Sequence, residues 1–272
     1  MEYIQANIPC LEEKKEIITA ELEQIGYEGF WEEGQKINAF IEREKLDEKL
    51  LYDTLAKYGM ENSYSLSDLE DRNWNQEWES NFNPVQIDQH VLIRASFHEP
   101  LEGIAHEIVI NPEMSFGTGH HETTELMVRM MLQMDFKDKV VLDMGSGTGV
   151  LAILASQLSA EKVVAIENHK GSVANCIDNV AINQISNVEV IEGSIDACPQ
   201  QSFDIILSNI TKNINQSLLP ACVNMLAESG YLLISGFLDF DKQEMRQYCE
   251  ALGLEFVQDM EINKWQGMLF VK

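Results

Sequence analysis

Residues 139–150 read KVVLDMGSGTGV: an apolar, strand-like run, an acid at Asp143, then Gly145, Gly147 and Gly149 at every second position before an amphipathic stretch. Alternating glycines let the backbone turn sharply and approach a ligand, and the helix expected next directs unpaired N–H groups at it. The segment has the make-up of a cradle for a nucleotide-like ligand.

Spacing separates two nucleotide chemistries. A dinucleotide fingerprint reads G-x-G-x-x-G, with an acid about 20 residues downstream for a ribose hydroxyl. Here the third glycine comes one position early, and Asp143 sits just before the turn. The pattern D-x-G-x-G-x-G resembles motif I of the class I S-adenosylmethionine methyltransferases. That resemblance implies S-adenosyl-L-methionine as cofactor, Gly145 and Gly147 in contact with it, and Asp143 ordering the loop near the methionine moiety. The next strand-like run, KVVAIEN, brings Glu167 to its end, where a carboxylate can accept from both ribose hydroxyls.

Composition restricts the class. A chain of 272 residues, 45% hydrophobic, can bury a core in one large or two modest domains. No run nears the roughly 20 apolar residues of a membrane span, and MEYIQANIPCLEEKK has no signal-peptide core, so a cytoplasmic protein with no membrane association is expected. The five cysteines, Cys10, Cys176, Cys198, Cys222 and Cys249, form no C-x-x-C pair and read as reduced core residues. His120 and His121 are adjacent without H-x-x-x-H spacing, and no metal is expected. A net charge of −26 disfavours direct nucleic-acid binding and suits a basic polypeptide partner.

Residues 1–66 alternate strand-like and helix-like patterns: YIQANI, LEEKKEIITAELEQIG, YEGFWEE, INAFIE, LDEKLLYDTLAKYG and SYSL. The order βαββαβ is the ferredoxin-like arrangement. Residues 1–82 hold twenty acidic against eight basic residues, either a docking surface for a cationic partner or a solvated face. In residues 71–84, DRNWNQEWESNFNP, Trp74, Trp78 and Phe82 share one side of a helix expected to stop before Pro84 and to pack between domains. VQIDQHVLIRASF and GIAHEIVIN then read as strands.

Two further segments carry chemistry. In NPEMSFGTGHHETT, residues 111–124, Gly117 and Gly119 make a tight loop before a helix expected over Glu122–Met134, with Thr123 or Thr124 near its start; hydroxyls and N–H groups there can hold an amino-acid carboxylate. SFDIILSNITKNI reads as a buried central strand ending at Ser208 and Asn209. Asn209 either offers a carbonyl oxygen to an incoming amine or caps a helix over 211–227. Near the end of the chain, EFVQDMEIN and WQGMLFVK read as an antiparallel hairpin completing seven strands, with Trp265 as its padding.

Taken together, D-x-N-W-x-x-x-W-x-x-x-F-x-P, F-G-T-G-x-H-x-T-T, D-x-G-x-G-x-G and Asn209-Ile210 after a strand resemble the bacterial methyltransferase family that modifies large-subunit ribosomal protein eleven. The resemblance spans residues 70–272 by motif and the N-terminal part by order. It implies a ferredoxin-like α+β substrate-recognition domain (1–69), a linker helix and connecting strand (70–100), and a seven-stranded, Rossmann-like class I methyltransferase domain (101–272). It further implies methylation of lysine ε-amino groups and of the N-terminal α-amino group of that ribosomal protein. Carried over by position, the cofactor contacts are Thr124, Gly145, Glu167 and Asn209, with Phe116 and Thr118 covering the methionine end. The chain departs from the family pattern at His120, Glu122, Glu167 and Thr211, where threonine, proline, aspartate and an aliphatic residue are usual. A monomer is expected. The alternatives are a methyltransferase acting on another nitrogen nucleophile, a cofactor-binding adaptor without transfer activity, and a nicotinamide dehydrogenase, the last disfavoured by glycine spacing.

Overall fold

A computed structural model of the chain describes residues 3–10, 12–32, 34, 36–68, 83–111 and 119–272. The aromatic stripe of Trp74, Trp78 and Phe82, and likewise Phe116 and Thr118, lie outside the described residues. The chain divides into two units, Met1–Phe82 and Asn83–Lys272.

In the first unit the order is β1 (Tyr3–Pro9), α1 (Glu12–Gln24), β2 (Gly29–Glu32), β3 (Lys36–Glu42), α2 (Glu48–Ala56) and β4 (Ser65–Asp68). The strands form an antiparallel sheet ordered β2-β3-β1-β4, the ferredoxin-like topology. Alternation is its cause, because successive side chains of a strand point to opposite faces. Ile4, Ala6 and Ile8 of β1 and Ile37, Ala39 and Ile41 of β3 form one core with Ile18 and Leu22 of α1 and Leu51 and Leu55 of α2. Asp47 starts α2 by accepting from the Leu50 N–H at 3.0 Å.

The second unit opens with a three-stranded sheet, β5 (Val85–Ile87), β6 (Val91–Arg94) and β7 (His106–Val109), in the order β5-β6-β7. A division near residue 100 would part β6 from β7, which pair in parallel from Val91↔His106 to Arg94↔Val109. Across the polar run between them each strand's backbone groups take the other's as partners.

The large sheet follows. Its elements are α3 (Glu122–Met131), β8 (Val140–Met144), α4 (Val150–Gln157), β9 (Lys162–Glu167), α5 (Lys170–Ile182), β10 (Val188–Glu192), β11 (Phe203–Asn209), α6 (Lys212–Met225), β12 (Leu226–Leu238), α7 (Lys242–Ala251), β13 (Glu255–Ile262) and β14 (Trp265–Val271). The strand order is β10-β9-β8-β11-β12-β14-β13, parallel from β10 to β12 and closed by the antiparallel β13–β14 hairpin. This is the seven-stranded, Rossmann-like class I arrangement expected above. Both faces of the central strands are covered, so alternate residues enter different cores: Val141, Val163 and Ile205 pack with α3 and α4, while Leu142, Val164 and Ile206 pack with α6 and α7. Strand order reverses between β8 and β11, and the crevice at such a switch point is where open α/β sheets take ligands.

Candidate active site at the carboxyl edge of the large sheet

The glycine turn leaves β8 at its carboxyl end and enters α4. Gly145, Gly147 and Gly149 have φ of 76°, 54° and 85°, the left-handed region in which a side chain is strained. Space is equally restrictive: a Cβ on Gly145 would lie 2.5 Å from Ile210 Cγ2, and one on Gly149 2.6 Å from Cys176 Sγ. The Gly145 and Ser146 N–H groups both donate to the Ile166 carbonyl, at 2.9 and 3.0 Å, so the turn is bound to the end of β9.

Two carboxylates hold the turn from below and beside it. Asp143, only 1% exposed, accepts from the Ala152 N–H at 3.1 Å through Oδ2. Its Oδ1 is buried and, among the described residues, has no partner. Burial pushes its carboxyl up to about 7, with repulsion from Glu167 adding to the shift and the Ala152 N–H opposing it. Glu167 accepts from Gly147 N–H at 3.0 Å through Oε2, and from Asn168 and His169 N–H, both at 2.9 Å, through Oε1. Three of its about four acceptor positions are therefore used within the protein. The extra methylene over the family's usual aspartate lets the group fold back to Gly147, an engagement the sequence pattern does not announce.

Asn209 is the last residue of β11. Its Oδ1 is buried and unpartnered among the described residues, whereas Thr211 stands at the cap position of α6, so of the two readings of Asn209 the helix cap is not the one observed. The corner is held by a residue that the sequence reading did not single out, Asn215, which is fully buried. Asn215 donates to the Ile210 and Ser235 carbonyls at 2.8 and 3.0 Å and accepts from Ser208 Oγ at 2.7 Å. Gly236, with φ of 96°, closes the corner from β12: a Cβ there would come within 2.0 Å of the Ile210 carbonyl oxygen. Only an asparagine in the first turn after S-N-I, four residues beyond the turn residue Thr211, could have signalled the clamp.

The entrance of α3 differs in detail from expectation. His121, not a threonine, is the cap: its Nδ1 accepts from Thr123 N–H at 3.2 Å and contacts Thr123 Oγ1 at 2.9 Å. Thr124 follows, 2% exposed. The helix ends at Met131 rather than Met134. Trp265 does more than pad its hairpin, since its ring meets the His121 ring edge-on at 4.7 Å between centroids and so braces this entrance. The departures from the family pattern are accommodated: His120 Nε2 hydrogen-bonds the Asn83 carbonyl at 2.8 Å, and Glu122 Oε1 accepts from Asn263 at 3.3 Å.

Register sets the spacing of the site. Met144 is level with Ile166 on one side and with Ser208 on the other, so Gly145, Glu167 and Asn209 are each the next residue on three adjacent strands. With strands about 4.8 Å apart, Glu167 and Asn209 stand roughly 10 Å from each other across the glycine turn. The groups presented are mostly acceptors: the Glu167 carboxylate, the Asp143 carboxyl and the Asn209 carbonyl. S-adenosylmethionine, a sulfonium with an ammonium and ribose hydroxyls, offers cations and donors to these acceptors, and the buried unpartnered oxygens of Asp143 and Asn209 are groups that the fold alone does not use.

Known proteins point the same way. The ribosomal protein L11 methyltransferase (PrmA) family matches residues 3–272. A ribosomal protein L11 methyltransferase of Phocaeicola vulgatus is 37% identical, covering 100% of this chain and 99% of its own length. One of Porphyromonas gingivalis is 38% identical, covering 96% and 91%. Among solved structures, a ribosomal protein L11 methylase of Lactobacillus delbrueckii subsp. bulgaricus superposes with a TM-score of 0.64 at 26% identity, covering 69% of this chain and 97% of its own. From its glycine turn to the last hairpin strand, and with relatives this similar along their whole length, the chain belongs to the ribosomal protein L11 methyltransferase family.

Proposed function

We propose that this protein transfers methyl groups from S-adenosylmethionine to ribosomal protein L11, on lysine ε-amino groups and the N-terminal α-amino group, acting as a cytoplasmic monomer without binding nucleic acid directly. The observation that carries the proposal is the level array of Glu167, Gly145 and Asn209 at the carboxyl ends of β9, β8 and β11. In this reading Glu167 holds the ribose, Gly145 and Gly147 let the turn approach the cofactor, and Asp143 orders the loop. Thr124, with Phe116 and Thr118, holds the methionine end. To receive both ribose hydroxyls Glu167 must give up or share its bond to Gly147, so cofactor binding and the shape of the turn are coupled. The acidic N-terminal unit recognises the basic ribosomal protein by charge complementarity.

S-adenosylmethionine supplies a methyl already activated by its sulfonium, so the protein's contribution is alignment, which can lower a barrier by about 7 to 11 kcal/mol at best. Asn209 accepts an N–H of the incoming amine and so aims the nitrogen lone pair across the turn. A lysine with pKa near 10.4 must lose a proton first, at a cost of roughly 4.6 kcal/mol at pH 7. A neutral acceptor suits that step better than a carboxylate, which would hold the amine in its charged form.

Incubation with methyl-labelled cofactor and separately purified ribosomal proteins, followed by mass spectrometry of the labelled peptides, tests this. Label on L11 at amino groups is expected. Label on a small amine or another protein, with L11 unmodified, would replace the reading by that of a methyltransferase for a different nitrogen nucleophile.

A further inference from the structure

Helix α5 carries Asn175 and Asn179, with Asn183 at its end, four residues apart and therefore on one face. All three reach the outer edge of the β7 segment. Even-numbered residues of that segment hydrogen-bond toward β6, as His106 and Ile110 do to the His90 and Arg94 carbonyls, so the odd-numbered residues face away from it. Their backbone groups would be an open strand edge. Instead Asn183 accepts from Val109 N–H at 2.9 Å and donates to the Val109 carbonyl at 2.7 Å. Asn179 accepts from Asn111 N–H at 3.0 Å, Asn175 donates to the Asn111 carbonyl at 2.8 Å, and Gln157 of α4 donates to the Glu107 carbonyl at 2.7 Å. One helical turn of four residues rises about 6 Å and two strand residues about 6.6 Å, so an amide at every fourth helical position can serve as the missing strand.

Asn179 does a second thing. Its Nδ2 donates to the Thr148 carbonyl at 3.0 Å, inside the glycine turn, and to Asn175 Oδ1 at 3.3 Å. The side chain is 1% exposed, and its oxygen faces an N–H while its nitrogen faces carbonyls, so each end has the correct partner. Cys176, one turn back on α5, lies where a side chain on Gly149 would collide. The helix is thus the floor of the turn, and Asn179 is the side chain that ties the turn to Asn111, just beyond β7. Thr148 itself is fully buried, so water cannot replace this bond without opening the turn.

We infer that Asn179, supported by Asn175, is a positioning residue for cofactor binding: it sets the geometry of the 145–149 turn and of residue 111 as one unit, without touching the ligand. The inference rests on the proposed cofactor site, and it predicts a local effect that general destabilisation would not give. Asn187 supplies the control. It makes comparable bonds at the opposite end of the sheet, donating to the Ala160 carbonyl at 2.8 Å and accepting from Ser156 Oγ at 2.6 Å.

The test compares Asn179→Ala with Asn187→Ala by calorimetric titration with adenosylhomocysteine, by steady-state kinetics in both substrates, and by amide hydrogen exchange without ligand. Expected for Asn179→Ala is a dissociation constant raised about tenfold, the scale of one buried hydrogen bond, with KM for the cofactor raised and KM for the protein substrate unchanged. Exchange over residues 145–152 should quicken in Asn179→Ala and stay as in the parent in Asn187→Ala. Should Asn179→Ala fail to fold, Asn179→Gln, whose amide is displaced by one methylene, carries the same comparison. Equal exchange at the turn and equal cofactor affinity in the two variants would overturn the inference. A parent protein that binds no adenosylhomocysteine would sink the proposed function instead, and the exchange measurement would still decide whether Asn179 sets the turn.

Discussion

The two ends of the same parallel strands are built on different terms. At the amino ends, Asp204 of β11 accepts from the Val140 N–H of β8 at 2.8 Å, and Asn187 bridges the Ala160 carbonyl and Ser156. These polar side chains take up backbone groups that the strand ladder leaves over there. At the carboxyl ends, Asp143 of β8 and Asn209 of β11 each keep a buried oxygen without a partner among the described residues. A fold selected for stability alone would fill those positions, since an unsatisfied buried polar atom costs about 1 to 3 kcal/mol. Unpartnered buried atoms are not confined to the carboxyl end, since Gln157 Oε1 and Gln201 Nε2 near the amino ends also lack a partner among the described residues; what sets Asp143 and Asn209 apart is that both flank the glycine turn, where the proposed cofactor site lies.

Variants at the two ends can break or sharpen that contrast. The largest effect is expected from Asn209→Ala, which should slow methyl transfer about 100-fold or more, as loss of one positioned hydrogen-bonding group does elsewhere, and weaken adenosylhomocysteine binding by less than that. Single-turnover rates and calorimetry decide it, and full turnover would show that the amine is aimed by another group. Glu167→Ala should weaken cofactor binding by about 1.5 to 3 kcal/mol, the worth of hydrogen bonds to a charged group. An unchanged dissociation constant would remove Glu167 from the ribose role and leave it only as the anchor of Gly147.

Asp143 gives a pH signature. Its carboxyl is held up to about 7, above the ordinary 3.8, so the folded protein keeps a proton that the unfolded chain has lost. Stability from this group is therefore present below about pH 4 and declines as pH rises to about 7. Denaturant titrations of ligand-free protein across that range should show Asp143→Asn losing less stability than the parent. Parallel curves would mean that the buried carboxyl is not protonated in the fold. The smallest effect belongs to the amino end: Asp204→Ala should cost about 1 kcal/mol of stability and leave cofactor affinity as it was. A change in affinity there would dissolve the distinction between the two ends.

Much of this was legible in the chain. Three alternating glycines after an apolar run and an acid specify a strand, a turn and a helix, because only glycine adopts φ of 76°, 54° and 85° without strain. The apolar run Ile205–Leu207 after Phe203 announced a strand buried on both faces, and the last two apolar runs announced a hairpin. The pairing of β6 with β7 across residue 100 was not legible, because a polar connection looks the same in sequence whether or not the strands on its two sides pair. The capping of α3 by His121 was not legible because histidine caps helices less often than the threonines beside it.

What the sequence by itself determined is the order of elements, the class of the large sheet and the positions of Asp143, Gly145, Glu167 and Asn209 at strand ends. These follow from periodicity and from backbone conformations that few residues tolerate, which are local properties. Only the tertiary structure decided that Glu167 folds back onto Gly147, that Asn215 and Gly236 hold the corner beside Asn209, and that Asn179 joins Thr148 to Asn111. Each of those depends on which buried donor meets which acceptor. That pairing is set by strand register and helix packing between residues as many as 68 positions apart, and no local pattern encodes it.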